Sequence, residues 1–173
     1  MIFEEFFARL ELQHFKFHEL LKHTECEGNT EPPRHLWDNI VPTILVLDKL
    51  REHLNVPICL TSIYRTPAYN KQKKGRKRSL HQAFSAADFK ASNVPPQRVS
   101  EILKEWRGQW FQSPVPIETR PADVPAGQTH WQPLNTGNAD DRDFTFQFKG
   151  GIGTYTTYVH IDTRGMNNTW KGG

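Results

Sequence analysis

Ser79-Leu80-His81-Gln82-Ala83-Phe84-Ser85-Ala86-Ala87-Asp88 is the stretch on which the reading of this chain turns. Its two chemistry-bearing side chains, His81 and Asp88, stand seven apart. On a continuous helix they would share a face yet lie about 10 Å apart along the axis, at 1.5 Å rise per residue. Side chains that grip one cation keep their donor atoms about 3–4 Å apart, because each bond is about 2.0–2.2 Å long. A helix is therefore the wrong carrier. The workable arrangement has His81 in a loop and Asp88 on a strand, with small Ser85, Ala86 and Ala87 letting the backbone curl closely between them.

A second stretch answers the first. Thr154-Tyr155-Thr156-Thr157-Tyr158-Val159-His160-Ile161-Asp162-Thr163 is rich in β-branched and aromatic residues and follows the breaker Gly150-Gly151-Ile152-Gly153, so it predicts a strand. With a period of two, Val159 and Ile161 face a core while Tyr158, His160 and Asp162 line an open face. His81, Asp88 and His160 together are the ligand set of a catalytic zinc site that keeps one position open for water. On spacing alone, three unrelated surface or core residues remain the commoner outcome in a chain with eight histidines.

Composition bounds the rest. The 173 residues suffice for one domain with a sizeable core and are too few for two ordinary ones. A net charge of +3 is too small to imply nucleic acid by itself. No apolar run approaches the roughly 18 residues of a membrane span. Met1-Ile2-Phe3-Glu4-Glu5-Phe6-Phe7 carries acids where a secretory signal needs positive charge, so no signal peptide is visible. Cys26 and Cys59 cannot define a disulfide framework, and Cys59, in an apolar run, is expected to be a buried thiol.

Residues 3–23 predict one or two short amphipathic helices packed outside the main sheet. His14 and His18 have the spacing of a helical metal pair, but Phe15 stands where a zincin helix carries its glutamate, so they read as surface histidines. Residues 25–34 read as a loop and 36–54 as the best helix, with Pro42 near its first turn and Asn55 ending it. Ile58-Cys59-Leu60-Thr61-Ser62-Ile63 is a short buried strand delivering Tyr64 and Arg65. A guanidinium beside a metal can hold a substrate carbonyl or the oxyanion that forms from it; a structural salt bridge is the plainer role. Residues 71–78 hold six cations in eight and read as a solvated loop that steers anions. Val94-Pro95-Pro96-Gln97 opens a helix covering the back of the sheet. Residues 112–143, rich in proline and glycine, read as a substrate-covering loop or hairpin insertion. Phe144-Thr145-Phe146-Gln147-Phe148 alternates as a strand, and Trp170 in the Gly/Asn-rich tail is pinned back on the body.

The motifs Thr61-Ser62-Ile63-Tyr64-Arg65-Thr66-Pro67-Ala68-Tyr69-Asn70, Ser79-x-His81-(x6)-Asp88, and Gly151-Ile152-Gly153-Thr154-Tyr155 followed by Val159-His160-Ile161-Asp162 resemble the M15 zinc peptidases. These are D-alanyl-D-alanine carboxypeptidases and dipeptidases and their peptidoglycan-cleaving relatives. The resemblance spans residues 36–164. It implies one Zn2+ per chain on His81, Asp88 and His160, with Arg65 beside it. It also implies hydrolysis of peptidoglycan stem peptides, of the D-Ala carboxypeptidase type, by attack of zinc-activated water. Many members carry an acid three residues before the last ligand, or a histidine two before it; Thr157 and Tyr158 stand there in this chain. Asp162 is one substitute for that missing base, unless it only orients a ligand, and His130 or an acid of the long loop is another. Ser79, Tyr158 and His130 are the expected substrate contacts.

The expected fold is one α+β domain, residues 1–173, with a small, mainly antiparallel sheet bearing the metal on one face and helices on the other. An N-terminal helical extension (1–34) and the loop insertion (112–143) complete it. The expected partner is a peptidoglycan peptide, with no nucleic acid, no membrane span and a monomeric state. The place of action would be the bacterial wall, periplasmic, extracellular or phage-associated. A catalytically weak wall-binding or phage-structural module that keeps the metal site is the alternative.

Overall fold

The computed structural model describes residues 1–117 and 144–173. Helices α1 (Phe3–Ala8), α2 (Val41–Leu54), α3 (Pro67–Gln72) and α4 (Pro96–Trp106) surround two sheets. The larger sheet has the order β1 (Ile58–Ser62), β2 (Ala86–Ala91), β6 (Val159–Asp162), β5 (Gly151–Thr154), β7 (Asn168–Lys171). Its first four strands pair antiparallel; β7 joins β5 in parallel, so the sheet is mixed and the α+β expectation holds. Strands β3 (Trp110–Gln112) and β4 (Thr145–Gln147) form a separate antiparallel pair. The predicted strand around Phe146 thus lies outside the main sheet. No helix among the described residues is long and apolar enough to cross a membrane.

The predicted helix over 36–54 resolves into two parts. Residues Arg34–Ile40 form a 3-10 segment, and α2 begins at Val41 with Pro42 in its first turn, where a missing N–H costs nothing. Asn55 closes it in the left-handed region (φ 53°), donating its N–H to the Arg51 carbonyl at 2.9 Å. The helix buries Ile44, Leu47 and Leu50 in the same core as Phe89, Ile152 and Ile161 of the sheet. Phe3, Phe6, Leu10, Phe15 and Leu20 belong to that core too. The apolar side chains of the N-terminal segment therefore belong to the main hydrophobic body.

Two expectations need correcting. Cys59 is exposed, because β1 is the sheet's edge strand and its alternation buries Ile58 and Leu60 while turning the thiol outward. Residues 154–163 are not one strand: Gly151–Thr154 and Val159–Asp162 are the two arms of a hairpin. Of the glycines read as a breaker, Gly151 and Gly153 are strand positions where other groups approach closely. A Cβ on Gly153 would meet the Trp170 ring at 2.5 Å, and one on Gly151 would overlap the Asp162 carboxylate.

Candidate metal centre

A single transverse row of the sheet builds the site. Ser62 pairs with Asp88, Asp88 with His160, His160 with Gly153, and Gly153 with Trp170, one residue from each of the five strands. Directly opposed residues on adjacent strands point to the same face, which is why Asp88 and His160 meet. Between them and β7, Gly153 contributes no side chain. The Trp170 ring crosses that gap to lie 5.1 Å from the His160 ring, centroid to centroid.

His81 reaches the row from a 3-10 turn, Leu80–Ala83, not from an irregular loop. Ser79 caps this turn, its Oγ accepting the His81 N–H at 3.4 Å. Phe84 then reverses the chain with φ 54°. A bulky residue at positive φ is strained, and here the ring is wholly buried beside Phe3 and Tyr64. Helix α2 and the segment before it fix the carbonyls of the turn. Asn39 Nδ2 donates to Ala83 O at 2.8 Å, and Thr43 Oγ1 to Ser85 O at 2.8 Å. The curl between His81 and Asp88 is thus held from below by buried amide and hydroxyl groups.

The donor atoms of His81, Asp88 and His160 all lie within 4.8 Å of one another. His81 Nε2 is 3.2 Å from Asp88 Oδ2, and His160 Nδ1 is 3.0 Å from Asp88 Oδ1. Each imidazole is tied at its other nitrogen. His81 Nδ1 donates to the Ile63 carbonyl at 2.6 Å, which leaves Nε2 as the free lone pair. His160 Nε2 donates to Asp162 Oδ2 at 2.8 Å, which leaves Nδ1 toward Asp88. Metal-ligating histidines are ordinarily supported in this way, with one ring nitrogen anchored and the other turned toward the remaining donors. The donor set fits a divalent cation such as zinc, with room for a fourth ligand from the cleft side.

Burial opposes the ionised form of Asp88, yet the charges and hydrogen bonds of His81 and His160 outweigh it and hold the carboxyl well below its usual range. For His160, burial pulls downward, but the Asp162 and Asp88 hydrogen bonds prevail and push it up to about 9. Without a metal, Asp88 is therefore held ionised and His160 is held protonated between the Asp88 and Asp162 carboxylates.

Asp162 does not line the open face. It is fully buried, and both oxygens are occupied. Oδ1 accepts the Gly151 N–H at 2.9 Å and Arg164 Nε at 2.8 Å; Oδ2 accepts Arg164 Nη2 at 2.7 Å in addition to His160. The strand period placed it on the right face, but β6 is central in the sheet and neighbouring groups cover it. Arg65 lies beside the donors, its Nη2 3.8 Å from Asp88 Oδ2 and its Nε donating to Ser62 Oγ at 3.1 Å. Tyr158 stacks on Tyr155 at 4.3 Å; burial and the Asp88 charge push its hydroxyl up to about 12. His130 lies outside the described residues.

Arg164, Trp170 and Tyr155 were not expected at the site. Trp170 Nε1 donates to Tyr155 Oη at 2.9 Å, and the guanidiniums of Arg164 and Arg76 lie 5.6 and 5.9 Å from its ring. The sequence pins Trp170 back on the body but carries no sign that it packs on the site. The donors open into a cleft of about 620 Å3, bounded by the 73–78 loop, Tyr155, Tyr158 and Trp170. A groove of about 680 Å3 between α2 and β3 lies apart from them. His14 and His18 are both exposed and join no metal-ligand cluster among the described residues.

Two imidazoles and a carboxylate converging at a cleft in an α+β domain define a candidate metal centre of the kind hydrolytic enzymes use. Residues 13–113 match the family model for Peptidase M15, more than half of the chain, and the chain belongs to that peptidase family. The match contains His81 and Asp88 and ends before His160, which the sheet register supplies. No curated protein and no solved structure matches the chain.

Proposed function

We propose that this protein is a zinc-dependent peptidase acting on peptidoglycan stem peptides, most like a D-alanyl carboxypeptidase, with His81, Asp88 and His160 holding one Zn2+. The observation that carries the reading is the convergence of those three donors, each imidazole anchored at its far nitrogen. When bound, the ion would polarise a peptide carbonyl and lower the pKa of a water at the open position toward about 7.

The chain's own residues do the remaining work. Arg65, 3.8 Å from Asp88 Oδ2, would hold the carbonyl oxygen of the scissile bond and the negative charge that develops on it. Tyr158, whose hydroxyl keeps its proton throughout the neutral range, is a second donor to that oxygen. Ser79 lines the cleft with an O–H free to contact the substrate backbone, and His130 is retained as a proposed contact. Asp162 acts by positioning: it orients His160 and pairs with Arg164, with no oxygen left to take a proton from water.

One observation favours the wall-binding alternative. Among the described residues, Asp88 is the sole carboxylate lining the cleft, and it is engaged by both histidines. Digestion of purified stem peptides, with and without chelator, separates the two readings. Release of terminal D-alanine that stops on chelation and returns with zinc supports the peptidase. Stem-peptide binding without cleavage by the zinc-loaded protein would establish the binding module instead.

A further inference from the structure

The basic run 71–78 is built into the fold. Asn70, 3% exposed, donates from Nδ2 to the Arg76 carbonyl at 2.9 Å, and its own backbone carbonyl accepts the Gly75 N–H at 2.8 Å. Gln82, 1% exposed, donates from Nε2 to the carbonyls of Lys77 at 3.1 Å and Ser79 at 3.2 Å. Gly75 packs so tightly against the Asn70 amide that a Cβ would overlap it. A loop that served only to be solvated would need none of these buried anchors.

The loop so held forms one wall of the cleft, to which Lys73, Lys74, Arg76, Lys77 and Arg78 all contribute. Among the described residues, no carboxylate makes an ion pair with any of the five. Arg65 and Arg164 also line it, each already paired, Arg65 with Asp88 and Arg164 with the buried Asp162, and among the described residues Asp88 is the one carboxylate of the lining. A bound divalent ion would make this balance still more positive. A low-dielectric cleft lined by one sign of charge focuses its field and concentrates ligands of the other sign.

Resting on the reading of this cleft as the substrate cleft, we infer that residues 73–78 are a fixed cationic wall selecting peptide substrates with two or more carboxylates on the side that lies against it. Nucleic acid fits the same wall less well. Single strands bind by stacking bases on open aromatic faces, and the aromatic rings here are already engaged. Tyr155 and Tyr158 stack on each other, and Trp170 packs against His160 between Arg76 and Arg164.

The test is fluorescence anisotropy with rhodamine-labelled hexaglutamate, hexaglutamine and a single-stranded oligothymidylate, using the protein as purified. It is repeated in chelator, so that coordination of a metal by glutamate does not contribute. The wall predicts hexaglutamate bound at least about tenfold more tightly than hexaglutamine at low salt, with the preference shrinking as salt rises. It also predicts the oligonucleotide held more weakly than hexaglutamate. The K73Q/K74Q/K77Q/R78Q variant loses the preference. K16Q/K22Q/K49Q/K104Q, which removes the same charge from exposed positions outside the cleft, keeps it. Equal binding of the two peptides, equal loss in both variants, or tighter retention of the oligonucleotide overturns the inference. Because the readout is binding, a protein that selects hexaglutamate but cleaves no peptide would count against the hydrolase reading alone.

Discussion

His160 shows how much of a site can rest on one side chain's two nitrogens. Nδ1 faces Asp88 and Nε2 is held by Asp162, so the ring cannot turn without breaking a bond to a buried carboxylate. Asp162 in turn neutralises Arg164, which it meets with both oxygens. Replacing Asp162 with Asn keeps the size but leaves a half-buried guanidinium unpaired and weakens the anchor on His160. The expected result is zinc affinity reduced about 10- to 100-fold, the usual cost of losing a group that orients a metal ligand. Competition against a chromogenic chelator reads it; an unchanged affinity would count against the positioning role. At this scale the sequence was informative about direction. Alternation along β6 correctly put His160 and Asp162 on one side, away from Val159 and Ile161. It said nothing about which strands flank β6, so neither the burial of Asp162 nor its pairing with Arg164 could be read from it.

The elements that matter most were the hardest to foresee. A Gly-Gly-x-Gly run signals a break when taken alone, yet here its last three residues open β5, whose missing side chains admit Trp170 and the Asp162 carboxylate. Strand β7 hid in a glycine- and asparagine-rich tail because four residues carry too little periodicity to show. Tertiary contacts hold it in place. Arg107, just past the end of α4, donates to Thr169 Oγ1 at 2.7 Å, Asn168 O at 2.6 Å and Gly150 O at 2.8 Å, clamping β7 to the turn before β5. Hydrogen bonds from charged groups are worth about 1.5–3 kcal/mol each, so Arg107→Ala is expected to loosen β7 well before the rest of the sheet. Hydrogen exchange should show faster exchange over residues 168–171, with β2 and β6 still protected. Unaltered protection of β7 would mean that the parallel pairing with β5 suffices by itself. Helices α2 and α4, by contrast, were legible because apolar stripes of three turns or more leave a clear period.

At the scale of the molecule, the α+β class and the convergence of His81, Asp88 and His160 were anticipated. Both depend on a strong local pattern or a matching set of motifs. What escaped was long-range: the mixed sheet and the N-terminal aromatics sharing the main core. Each arises from partners distant in the chain, which no local window reports. The whole arrangement serves one outcome, since α2 holds the turn after His81, the sheet sets Asp88 against His160, and β7 packs Trp170 onto the same ring. The central claim is that these three donors share a single cation. Metal content by mass analysis of the purified wild type, beside His81→Ala and His160→Ala, tests it most directly. The account predicts about one zinc per chain, as a site with three protein ligands and one open position requires, and its loss or severe reduction in each variant. Wild-type protein that binds no zinc when zinc is supplied, or variants that retain it undiminished, would contradict it.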